Sequence, residues 1–77
     1  MMTRAETLLQ RAVRLRRTAW RLWQSYERCQ TKASCAAFFS ADYDATEAYI
    51  ALAPNERTAF LARCRMECML PEDTGRW

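Results

Sequence analysis

An all-α fold, a small three-helix arrangement in one domain over residues 1–77, follows from three observations. Glycine occurs once and proline twice in 77 residues, while alanine, leucine, arginine and glutamate abound, a composition that favours helix nearly throughout. Apolar residues recur at spacings of three and four rather than two, the period of a helix face. Pro54 and Pro71 fall where a helix can start and where one must stop. A hydrophobic share of 51% excludes a disordered chain. The length is near the size at which a single core only just offsets chain entropy.

The first element is expected to be a long amphipathic helix, from about residue 3 to 32 or beyond. Thr3 and Glu6 have the spacing of a capping box, which satisfies free backbone N–H groups at a helix start. Ala5, Leu8, Ala12, Leu15, Ala19, Leu22, Tyr26 and Cys29 then follow a heptad rhythm. Leu9, Val13, Trp20 and Trp23 widen that stripe to about half the circumference. An arc so wide buries against two neighbours rather than one. The C-terminal boundary is open between two readings. Ala33, Ala36 and Ala37 allow the helix to continue with a kink, the reading favoured here, whereas Gln30-Thr31-Lys32 offers a polar break before Phe38 and Phe39.

A second helix is expected over about 44–53. Asp44 is the candidate N-cap and Glu47, three residues on, its reciprocal partner. Pro54 suits a first helical position, so Ala53-Pro54-Asn55 reads as a joint into a third helix over about 54–70, followed by a tail over 71–77. That helix carries two apolar stripes, Phe60/Leu61/Cys64/Cys68 and Ala59/Ala62/Met66/Met69/Leu70, with Arg63 and Glu67 spaced for an i,i+4 ion pair. The shorter pair is expected to fold back on the long helix.

The net charge of +3 is unevenly spread: the first 32 residues are strongly basic and the remainder mildly acidic, which suggests two functional faces. Arg14, Arg17, Arg21 and Arg28 line up on the edge of the first helix opposite its apolar stripe. Guanidinium groups so arranged can reach successive phosphates or pair bidentately with carboxylates on a protein. Arg16 falls inside the apolar arc, beside Trp20 and Trp23. A buried charge is costly, so it must snorkel, pair with a carboxylate or stack on tryptophan, and an Arg/Trp cluster is the composition of interface hot spots. Met66 and Met69 mark a second candidate interface, because methionine adapts to varied contacts.

Catalysis is not expected. There is no histidine and no glycine-rich phosphate loop, and no serine or cysteine has a recognisable base partner. Cys29, Cys35, Cys64 and Cys68 raise a metal reading and a disulfide reading. The favoured account is free thiols, buried as small hydrophobes, since no histidine and no C-x-x-C knuckle is present. No cofactor is expected. Asp42, Asp44 and Glu47 are explained by capping and the helix dipole. The pair of helices joined at Pro54 has helix-turn-helix dimensions, with Asn55, Arg57 and Thr58 leading, but Glu56 would meet phosphate badly.

Arginine supplies eleven of the twelve basic residues, a usage typical of a GC-rich bacterial or phage genome. Neither a membrane-length apolar run nor a signal-peptide core is evident. The expected location is the cytoplasm, of a bacterium or of the host if the chain is phage-encoded, where thiols stay reduced. The leading expectation is a non-catalytic interaction protein: a small modulator or inhibitor that docks, through the Arg/Trp face, on a larger host complex such as a defence nuclease. A small nucleic-acid binder using the arginine edge is the alternative, and a regulator stabilised by a metal on the four cysteines the second. Homodimerisation through the heptad stripe or the Ala/Met stripe would enlarge a core that one copy can barely assemble.

Overall fold

The computed structural model describes residues 5–69 and contains three helices: α1 (Leu8–Arg28), α2 (Lys32–Ile50) and α3 (Pro54–Met66). No strand occurs among the described residues, and α1 packs against both other helices. The all-α three-helix fold is therefore as the sequence predicts, but several boundaries move.

α1 begins at Leu8, not near residue 3. Thr7 is the N-cap: its hydroxyl accepts the Gln10 N–H at 3.1 Å, and the Gln10 side chain accepts the Thr7 N–H at 3.0 Å. This capping box supersedes the expected Thr3/Glu6 pair. Thr3 lies outside the described residues, and Glu6, ahead of the helix, is engaged by Arg14.

The long, kinked reading of α1 is also corrected, because the helix ends at Arg28. Thr31 caps α2 by accepting the Ser34 N–H at 3.0 Å, while Ser34 Oγ accepts the Thr31 N–H and donates to the Cys29 carbonyl at 2.7 Å. One serine thus satisfies backbone groups of both helices, and no glycine or proline is needed for the reversal. α2 consequently runs from 32 to 50 rather than starting at Asp44, which lies inside it along with Glu47.

α1 and α2 form an antiparallel hairpin: Trp23 meets Phe38 at 5.2 Å between ring centroids, and further along Arg16 meets Asp42. α3 closes over the other end. Pro54 occupies its first turn and Glu56 Oε1 accepts the Ala53 N–H at 3.0 Å. Arg57 ties the joint by donating from Nη2 to the Ile50 carbonyl at 2.8 Å while lying over the Tyr49 ring. The core joins Ala12 and Val13 of α1, Ala48 of α2, Leu52 of the joint, Phe60 and Cys64 of α3, and Met69, with Leu9, Leu15, Trp20 and Tyr49 packed at its edge. The wide apolar arc of α1 therefore does serve two neighbours.

α3 stops at Met66 and not at residue 70. Glu67 is its C-cap and Cys68 takes a left-handed conformation, φ 55°. The Cys68 N–H reaches the Arg65 carbonyl at 3.2 Å and the Met69 N–H reaches the Cys64 carbonyl at 2.9 Å. This is a Schellman motif, whose usual apolar contact joins the third residue from the helix end to the second residue past the cap. Here those are Cys64 and Met69, both buried. The reversal turns Cys68 out to solvent and Met69 into the core, against the stripes drawn for a continuous helix. Leu70, Pro71 and the tail lie outside the described residues.

Candidate functional site

The arginine edge of α1 does not act as four equivalent cations. Arg14 grips Glu6 bidentately, Nε to Oε2 at 2.7 Å and Nη2 to Oε1 at 3.0 Å. Arg17 grips Glu67 in the same way, at 3.0 and 2.9 Å. Arg63 Nε also donates to Glu67 Oε2 at 3.0 Å, so the expected i,i+4 pair forms but shares its carboxylate with Arg17. Hydrogen bonds from Arg17, then from Arg63, hold the Glu67 carboxyl below the usual range. The Arg14 hydrogen bond does the same for Glu6. Arg21 and Arg28 are exposed and form no ion pair among the described residues.

These pairs rim a groove of about 600 Å³ between α1 and α3. Its apolar lining is Leu9 and Val13 from α1 with Ala59, Ala62 and Met66 from α3; Arg14, Arg17 and Arg63 supply the charge around it. Met66 is 82% exposed, so its thioether is presented rather than packed. Part of each of two surfaces that the sequence suggested as separate, Arg14 and Arg17 of the arginine edge and Ala59, Ala62 and Met66 of the Ala/Met stripe, is here one site. Two guanidiniums share one carboxylate at Glu67, which leaves the rim with an uncompensated positive charge.

The other sequence candidates lie elsewhere. Arg16 is buried between α1 and α2, its side chain 11% exposed, with Nη1 donating to Asp42 Oδ1 at 2.9 Å. Of the three solutions open to it, pairing with a carboxylate is one the structure uses. Trp20 packs at the edge of the core and Trp23 makes tilted ring contacts with Tyr26 and Phe38. Arg16 and Trp23 therefore engage α2, and both tryptophans are half-buried. Met69 is buried, so Met66 alone remains of the methionine pair. Arg57, a candidate recognition-helix residue, is committed to Ile50 and Tyr49.

The four cysteines are free thiols, but only Cys64 is buried; Cys35 is half-buried and Cys29 and Cys68 are exposed. The buried-thiol account thus holds for Cys64 alone. Burial pushes its pKa up to about 11, which makes it inert. Among the described residues no group of three or more His, Cys, Asp or Glu is placed to hold a metal ion, and no helix is long and apolar enough to cross a membrane.

Arg63 is the rim arginine that the sequence did not single out as a binder. Its i,i+4 relation to Glu67 was legible, but Arg17 and Glu67 are 50 residues apart, and no local pattern announces that contact. No protein-family model matches the chain, and no curated protein or solved structure is detectably similar to it.

Proposed function

We propose that this chain is a non-catalytic interaction protein, a small modulator that docks on a larger protein complex through the α1–α3 groove. The observation that carries this reading is the combination of an apolar lining with a rim in which Arg17 and Arg63 share Glu67. Such a groove fits an amphipathic segment that buries apolar side chains against Met66 and brings a carboxylate to the arginines. Nucleic-acid binding is the weaker reading, because two of the four edge arginines are held by carboxylates.

Fluorescence polarisation with two labelled probes separates these. An acidic amphipathic peptide of leucine and glutamate should bind, and Met66→Asp should weaken it about tenfold, the size of one lost apolar anchor. Duplex DNA should bind weakly and fall only about tenfold between about 50 and 200 mM salt, as expected for two phosphate contacts. Tight duplex binding that falls more than about a hundredfold, the signature of four contacts, would overturn the docking reading.

A further inference from the structure

α2 departs from the pattern of a surface helix. Phe38, Ala45 and Ala48 are buried, yet Phe39, Tyr43 and Ile50 are each more than half exposed. At about 100° per residue these three fall within about 40° of one another, so they form a single stripe on the outer side of α2. An otherwise polar face is normal for such a helix; apolar residues all round mark one that is covered. The Glu47 carboxylate lies beside the stripe, one turn from Tyr43, and its proximity raises the Tyr43 pKa. Residues 33–56 carry Asp42, Asp44, Glu47 and Glu56 and no basic residue at all.

Asp42 is taken by Arg16 and Glu56 belongs to α3, so the outer face of α2 sets its large apolar side chains beside Glu47, the chemistry that the α1–α3 groove selects. α2 lines no part of that groove, and its stripe points away from α1, so one copy does not fill its own. We infer that the α2 stripe of one copy docks in the α1–α3 groove of a second copy, with Tyr43 and Ile50 against Met66 and Glu47 toward the Arg17/Arg63 rim. The contact is heterologous, since stripe and groove are different surfaces and each copy keeps one of each unused; growth is head to tail. A symmetric α2-to-α2 contact would instead set Asp44 and Glu47 against their own copies, a like-charge juxtaposition. The surfaces are smaller than those of stable dimers, so association is weak and transient. This inference rests on the groove accepting an acidic apolar helix, and adds that the chain carries one itself.

Sedimentation velocity at low salt, from micromolar to near-millimolar protein, tests it. Wild type should grow in mass with concentration, past the dimer, and less so in high salt. Met66→Asp blocks the groove, and Tyr43→Ser with Ile50→Ser removes the stripe; all three side chains are exposed, and far-UV circular dichroism checks that both variants stay folded. Each variant alone should remain monomeric. An equimolar mixture should form a dimer and stop there, because one intact stripe and one intact groove remain. A monomeric wild type across the range overturns the inference, as does a mixture that fails to pair while wild type associates. The acidic peptide run in parallel keeps the two proposals apart: peptide binding by a monomeric wild type sinks self-association alone, whereas variants that pair without peptide binding sink docking of an outside partner alone.

Discussion

Arg16 of α1 and Asp42 of α2 form an ion pair of 2.9 Å across the helix hairpin, with the arginine side chain almost wholly removed from solvent. Breaking a buried pair leaves an uncompensated charge and costs far more than the pair contributes. Asp42→Ala should destabilise the fold by about 3 kcal/mol, and the double variant Arg16→Met, Asp42→Ala by clearly less. Urea unfolding of the four species in the double-mutant cycle reads this directly; single-variant losses that simply add in the double variant would show that Arg16 does not depend on Asp42.

Phe38 is 1% exposed and makes tilted ring contacts with both Trp23 and Phe39. Phe38→Ala should cost about 3–5 kcal/mol through lost burial and the cavity left behind, enough to unfold most of the molecules in a domain this small. Phe39→Ala, one residue on but exposed, should cost about 1 kcal/mol or less. Thermal melts of the two variants side by side test whether α2 buries the side described for it.

Cys68 sits at the position after the α3 cap with φ 55°, where a side chain crowds the backbone and glycine is favoured. Cys68→Gly should stabilise the protein by about 1 kcal/mol, the strain of a left-handed residue relieved. A loss of stability on this substitution would mean that the helix does not end in this reversal.

Glu67 has its pKa lowered by the Arg17 hydrogen bond, so the unfolded chain takes up its proton at higher pH than the folded one. The stabilisation is complete above the ordinary carboxylate range and disappears as pH falls through the lowered folded value. Glu67→Gln should therefore melt below wild type at neutral pH, with the gap closing as the solution is acidified towards pH about 3. A gap independent of pH would remove the ionic contribution.

Cys64 is held as a thiol by burial, its pKa raised to about 11 from 9.0. Exposed Cys29 and Cys68 should react with a disulfide reagent at pH about 8 at least about a hundredfold faster, given the smaller thiolate fraction of Cys64 and its lack of access. Above the unfolded value the denatured chain releases the proton that the native state retains, so stability should fall as pH rises from about 9 to 11. Mass spectrometry of the labelled peptides, with and without urea, identifies which thiols were reached.

The helical class, the joint at Pro54 and the wide buried arc of α1 were determined by the sequence alone, because propensity, proline geometry and the 3.6-residue period act over a few residues. Helix starts were legible only where the cap had the common chemistry. Thr7 with Gln10 fits the capping pattern but competes with Thr3 and Glu6, and Thr31 with Ser34 lacks the usual glutamate or glutamine and does not stand out. Asp44 and Glu47 have the right spacing yet lie mid-helix, since packing of Phe38 and Ala45 on α1 fixes α2 well before that signal. Tertiary structure decided the rest. Only the fold brings Arg17 to Glu67, Arg16 to Asp42 and Met66 to the arginine edge, because these contacts join residues remote in the chain. Met69 is buried and Met66 exposed for the same reason: a left-handed Cys68 reverses the chain between them, and that choice is made by the core the reversal completes.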